Sequence, residues 1–142
     1  MTTDEPVKRT SLRRWEPIAA PIPLTVLPER TWTEEEWQRI RLGHRSRGMD
    51  DKWNVFVEDH RLYAQRARTG RGIYEVEFGP ASEGGWRITE ALVESDSEFH
   101  PHASDERDST MLQIIVSGIV LGIRDPGLWA RWREAGGVPR LA

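Results

Sequence analysis

The chain has 142 residues, 30% of them charged and 37% hydrophobic, with seven tryptophans and a formal net charge of -3. That length suits one domain, because a chain of about 150 residues buries roughly two thirds of its unfolded surface, and the composition is that of a folded chain rather than a disordered one. The absence of cysteine excludes disulfides, thiolate nucleophiles and cysteine-ligated zinc, and it suits a cytoplasmic setting.

The negative balance argues against non-specific binding to duplex nucleic acid. It also hides segregation: residues 39–74 carry nine basic and four acidic side chains, and residues 75–108 carry two and ten. Eighteen of the 20 basic residues are arginine. The longest apolar stretch, residues 111–123, is interrupted by Gln113 and Ser117. As a helix it would reach about 20 Å against about 30 Å of bilayer core, which predicts a core helix and no membrane span.

In chain order, residues 1–30 hold five of the nine prolines and no periodicity, which predicts an extended or mobile arm in which only residues 22–27 could pair as a sheet edge. Ser11-Leu12-Arg13-Arg14 echoes a twin-arginine export signal, but Pro17, Pro21, Pro23 and Pro28 break the apolar part that would have to follow. A single α+β domain is expected over 31–142. Thr33-Glu34-Glu35-Glu36 is a capping box and opens a short helix over 33–42, which Gly43 can close in the left-handed conformation.

From Lys52 the period becomes two. Trp53, Val55 and Val57 share one face of a strand, Glu58 to Arg61 form a tight turn, and Leu62 and Tyr63 resume extended backbone until Thr69-Gly70-Arg71-Gly72 breaks it. A third strand follows over 73–78. A fourth, over 86–93, changes its apolar parity from Trp86 and Ile88 to Ala91 and Val93, which predicts a bulge at Thr89 and Glu90. A polar loop then leads to a helix over 105–121, and Asp125-Pro126 starts a last one over 126–135, held by Trp129 and Trp132. The expected fold is a four-stranded antiparallel meander with the C-terminal helix 105–121 packed on one face and short flanking helices.

Candidate chemistry concentrates at residues 61–71 of the basic region. Arg61, Arg66, Arg68 and Arg71 occur with no acidic residue between them, beside Thr69 and Gly70, with Lys52 on the neighbouring strand. Glycines let backbone N–H groups converge, guanidinium forks match phosphate or carboxylate oxygens, and a threonine hydroxyl adds a donor, so this turn is a candidate anion site. The structural alternative is a hairpin whose arginines pair with Glu75 or Glu77 across strands. His100-Pro101-His102 offers two imidazoles spaced for a metal, yet in a polar loop before a helix, and no metal site or cofactor is assigned. Asp50, Asp51 and Glu58 are candidate bases. No nucleophile elbow occurs, and Trp53, Tyr63, Tyr74 and Trp86 form either a stacking platform for a base or core.

Met49-Asp50-Asp51-Lys52-Trp53, Val55-Phe56-Val57-Glu58-Asp59, Leu62-Tyr63, Arg66, Thr69-Gly70, Ile73-Tyr74, Val76 and Phe78 together resemble a family of small bacterial domains of the form M-D-x-K-W-F-I-x-x-E-D-x-x-L-x-F-H-R-S-W-T-G-x-x-I-Y-x-V-x-F. The likeness covers about 30–95. Such domains occur alone or joined to ADP-ribosylglycohydrolase-like proteins, so the resemblance implies a setting of ADP-ribosyl or nucleotide chemistry without assigning an activity. Where that form reads H-R-S-W-T-G, this chain has Gln65-Arg66-Ala67-Arg68-Thr69-Gly70, without the histidine, serine and tryptophan. The first expectation is therefore a non-catalytic binding or accessory domain for a phosphate-bearing or acidic partner. The alternatives are a hydrolase or transferase acting on a nucleotide or ADP-ribosyl group, and a protein-protein module using the acidic 75–108 surface.

Overall fold

The fold is known from a computed structural model, which describes residues 5–101 and 104–136. It is an α+β domain built on a mostly antiparallel sheet. The strands are β1 (Pro21–Pro23), β2 (Thr31–Trp32), β3 (Trp53–Glu58), β4 (Arg61–Arg66), β5 (Gly72–Pro80) and β6 (Trp86–Glu94), and the helices are α1 (Glu34–Ile40), α2 (Asp105–Gln113) and α3 (Pro126–Gly136). The expected meander β3-β4-β5-β6 is present, but the sheet has six strands rather than four, because β1 and β2 both add to the free edge of β6. β1 is two prolines around Ile22, a composition tolerated only at an edge, where the missing donors face away from the ladder.

The period-two pattern works as read. Trp53, Val55, Leu62, Ala64, Tyr74, Val76, Phe78, Ile88, Ala91 and Val93 form a core under the helical layer. The parity change in the last strand is a register shift: Glu77 pairs with Glu90 and Phe78 with Ile88, so Thr89 is the extra residue. At the β3–β4 turn, Asp59 takes a positive φ of 58°.

α1 starts as a reciprocal capping box, with Thr33 Oγ1 accepting the Glu36 N–H and Glu36 Oε1 accepting the Thr33 N–H, at 3.0 and 2.9 Å. It buries Trp37 and Ile40 and ends where Gly43 has φ 75°; a Cβ there would meet the Val55 carbonyl oxygen at 2.4 Å. Trp37 packs on Phe78 with centroids 4.8 Å apart and stacks on Trp86 at 4.9 Å. The expected single helix 105–121 is α-helical only to Gln113 and continues as π-helix over Ile114–Val120. The wider turn puts four consecutive residues, Ile114 to Ser117, in the interior, where Ser117 accepts the indole N–H of Trp32 at 3.0 Å. Of the two tryptophans expected to hold α3, Trp132 packs under the Arg107 guanidinium at 3.8 Å, while Trp129 is exposed and the buried anchor is Leu128. Among the described residues no helix is long and apolar enough to cross a membrane.

The part of the 1–30 arm around Trp15 and Glu16 lies on the sheet face opposite α2. Trp15 meets Phe56 and Tyr63 edge-on at 5.1 and 5.7 Å, and Glu16 exchanges backbone hydrogen bonds with the turn through Gly70 O and the Gly72 N–H. Further on, the Ala19 and Ala20 N–H groups donate to the two carboxylate oxygens of Glu94 at 2.7 and 2.8 Å, and Asp96 N–H adds a third bond. Glu94 is 0% exposed. Burial alone would raise its pKa, but the donors of Ala19, Asp96 and Ala20 outweigh it and hold the carboxyl below its ordinary range.

A carboxyl with a lowered folded-state pKa contributes stability above the ordinary carboxyl range and loses it as the pH falls through the lowered value. Glu94→Gln is expected to cost about 1–3 kcal/mol at neutral pH, since one amide cannot accept all three donors. It should also flatten the loss of melting temperature on acidification, measured as melting curves of both proteins from about pH 7 to about pH 3.

Candidate functional site

The end of β4 and the start of β3 place the basic residues. Trp53 pairs with Arg66, and the Ala67 N–H donates to Lys52 O at 2.8 Å, so Lys52 and Arg66 lie at the same end of the β3–β4 pair. The turn that follows carries Arg68 and Thr69 around to Arg71. The loop before β3 faces this rim. Ser46 Oγ donates to Asp51 O at 2.7 Å, and Asp51 Oδ2 accepts the Arg47 N–H at 3.1 Å and contacts His44 Nε2 at 2.7 Å. The loop after β6 arrives from the third side, with Phe99 under the Arg71 guanidinium at 4.1 Å. These three segments enclose a cavity of about 890 Å³, lined by Asp50, Lys52, Arg66, Arg68, Thr69, Arg71 and Phe99 among others.

A buried relay of amides ties the loop at Ser46 and the turn at Gly70 to the arm at Arg14. Asn54 and Gln65 are opposite each other in the β3–β4 register, and Asn54 Nδ2 donates to Gln65 Oε1 at 2.9 Å. Asn54 Oδ1 accepts the Ser46 N–H at 2.7 Å, and Gln65 Nε2 donates to Arg14 O and Gly70 O at 3.1 and 3.0 Å. Gln65 is 1% exposed, so each of these bonds replaces water that has no access.

The structure brings Lys52, Arg66, Arg68, Thr69 and Arg71 to one rim and leaves Arg61 out. Arg61 lies at the opposite end of the six-residue β4, about 16 Å away at strand rise. Its guanidinium there bonds Glu75 and Glu77 at 3.0 and 2.9 Å. The cross-strand pairing weighed for the arginines is therefore the arrangement of Arg61. Arg71 is also engaged, with Pro17 O at 3.1 Å and Glu16 at 3.4 Å. Arg66 lies over the Trp53 ring at 5.0 Å, and neither it nor Lys52 or Arg68 has an acidic partner among the described residues.

The amides at and after the glycine of the turn are already engaged. Gly70 N–H donates to Arg66 O, Arg71 N–H to Thr69 Oγ1 and Gly72 N–H to Glu16 O, so these amides are spent inside the fold. Gly70 is required for another reason: with φ 77° it lies against Arg14, whose Cβ a methyl would meet at 2.8 Å.

The candidate bases disperse. Glu58 sits at the far end of β3, bonded to Arg9, which holds its carboxyl below the ordinary range; Asp51 is taken by His44 and Arg47; Asp50 lines the cavity and is exposed. His102 lies outside the described residues. His100 Nε2 contacts Asp108 Oδ1 at 2.9 Å, and the same oxygen accepts the Tyr74 hydroxyl at 2.6 Å. Burial, with the Asp108 charge, pushes the Tyr74 phenol well above its ordinary pKa, so it stays a donor. Among the described residues no three histidine or acidic side chains are grouped to hold a metal ion.

Of the proposed aromatic platform, Trp53 and Tyr74 are core, Trp86 stacks on Trp37, and Tyr63 belongs to the opposite face. Reading the sequence missed Ser46, Met49, Glu98 and Phe99 as cavity residues, since they arrive from loops distant in sequence. It also missed Asn54 and Gln65, although an amide pair on the outward positions of adjoining strands was a usable signal.

Comparison with known proteins finds no matching family model, no matching curated protein and no matching solved structure.

Replacing Gln65 by leucine keeps the volume and removes the relay, leaving two carbonyls and Asn54 short of partners. Gln65→Leu is expected to destabilise by about 2–4 kcal/mol. Hydrogen exchange should speed up jointly at Ser46, Glu16 and Gly70, and acceleration at only one of them would show that the relay does not couple the segments.

Proposed function

We propose that this chain is a small non-catalytic binding domain that takes a phosphate-bearing or acidic ligand in the cavity between the 45–51 loop, the 66–71 turn and Phe99. Lys52, Arg66 and Arg68 make the contacts, while Thr69, Gly70 and Arg71 frame them. The observation that carries this reading is the set of three cations around one cavity that have no acidic partner among the described residues, in a chain whose net charge is negative. The cavity also holds Asp50, Asp51 and Glu98, so its charges are mixed, and an anion between Lys52, Arg66 and Arg68 accepts charge-assisted hydrogen bonds from them. The cavity volume falls in the range of about 300–1,000 Å³ usual for small-molecule sites. The acidic segment 75–108 gives less support to a protein-protein surface, since Glu75 and Glu77 pair with Arg61, and Glu94 and Asp108 are buried.

The test is a melting-temperature screen of the whole chain with pyrophosphate, nucleotides, ADP-ribose and NAD. A ligand at 100 times its dissociation constant stabilises by about 2.7 kcal/mol, which for this size of chain is about 5–10 °C. The shift should fall with added salt. Arg66→Ala with Arg68→Ala should abolish it while leaving the unliganded melting temperature within about 0.5 kcal/mol of wild type. No shift with any anion overturns the reading.

One observation favours a second reading, a hydrolase or transferase on a nucleotide or ADP-ribosyl group: Asp50 shares the cavity with the cations and has no hydrogen-bonding or ionic partner among the described residues, so it is the base available to such a reaction. Turnover of ADP-ribose, NAD or a nucleotide that disappears in Asp50→Asn would establish it; binding without turnover leaves the first reading.

A further inference from the structure

The sheet face opposite α2 holds a second site, separate from the basic cavity and opposite to it in sign. Phe56 and Tyr63 are register partners on β3 and β4 and stack with centroids 4.9 Å apart and planes 12° from parallel. Trp15 stands edge-on to both. The guanidinium of Arg9 sits among the three rings, 5.0 Å from the Trp15 centroid, 5.1 Å from Phe56 and 5.3 Å from Tyr63. Glu58, the last residue of β3, closes the arrangement by accepting from Arg9 Nε at 3.1 Å and Nη2 at 2.8 Å.

An aromatic ring attracts a cation within about 6 Å of its centroid, most strongly when the cation sheds its water easily. Three rings and one carboxylate therefore select a delocalised or methylated cation over a compact, strongly hydrated one. Arg9 satisfies this chemistry without being built into the core. It starts a one-turn 3-10 helix, Arg9–Ser11, that contains no buried residue, and the Arg9 and Glu58 side chains are 38% and 43% exposed. Its segment is tied by backbone on either side, through the Val7 N–H to Leu42 O and the Glu16 N–H to Gly70 O, and it makes no backbone bond to β3 or β4. Arg9 can leave the rings without any strand pairing being broken.

We propose that this aromatic box is a binding site for a guanidinium or methylated ammonium group, and that Arg9 fills it in cis as a built-in competitor. A group tethered by a short segment acts at an effective concentration in the millimolar range, so an incoming cation meets a box whose free fraction is small. Removing Arg9 frees the box and raises the apparent affinity in proportion.

The experiment uses the whole chain as wild type, Arg9→Ala, and Arg9→Ala combined with Glu58→Gln or with Tyr63→Leu. The probes are N-methylguanidinium and tetramethylammonium as free ions and a short peptide with a single arginine. Binding is read from the ring-proton chemical shifts of Trp15 and Tyr63. Arg9→Ala should bind the free ions saturably, at least tenfold more tightly than wild type, and either second substitution should remove that binding. Tighter binding of the peptide than of N-methylguanidinium would make a polypeptide side chain the source of the cation; equal or weaker binding would make it a free small molecule. The proposal is overturned if Arg9→Ala shows no saturable binding or if the double variants bind as well as Arg9→Ala. Arg9→Gln, which keeps side-chain length without charge, is measured in parallel; unfolding of both single variants would show Arg9 to be a structural clasp and would also overturn it.

Discussion

The contact on which the basic cavity depends is the buried hydrogen bond between Asn54 and Gln65. Two polar side chains face each other across β3 and β4, each with bonding capacity left after the first bond, and each uses it on a different segment. One reaches the loop at Ser46; the other reaches the arm at Arg14 and the turn at Gly70. Beside it, among the described residues, these segments have only isolated bridges, Glu16 to Arg71 and His44 to Val55. In a region without water, each bond is strong and each vacancy costly, so the relay sets the segments in a single arrangement. The cations at the rim inherit their positions from it.

The arm closes the other side. A four-stranded meander with helices on one face would leave Phe56, Ile73 and Gln65 open to water. Trp15 covers the first of these, Glu16 adds an isolated bridge to Arg71, and Glu94 receives two backbone donors from the arm before β1 pairs along β6. The sheet therefore has interior on both faces, the arrangement that made Glu94 and Gln65 buried rather than surface residues. The same arm supplies Arg9 to the aromatic box.

Charge is redistributed in folding. In sequence the basic and acidic residues lie in separate blocks, which invites the picture of one basic and one acidic surface. Antiparallel register undoes much of that, since it sets Arg61 beside Glu75 and Glu77. Arg71 is neutralised by Glu16 of the arm. The cations left at the cavity after pairing are Lys52, Arg66 and Arg68, beside Asp50 and Glu98, and a count of charges along the chain could not separate these arginines from Arg61.

The local pattern of residues determined the elements: the capping box at Thr33 and Glu36, the left-handed close at Gly43, the four-strand meander, the bulge at Thr89 and the proline start of α3 all follow from propensities and periods that act within a few residues. Only the tertiary structure decided that β1 and β2 extend the sheet, that the C-terminal helix turns π where Trp32 meets Ser117, and that the turn amides are spent inward. It likewise decided which arginines share a rim and that Phe99 completes it. Those features depend on which distant segments close over one another, a choice made by burying apolar area and satisfying buried donors over the whole chain, and neither quantity is visible in a window of ten residues.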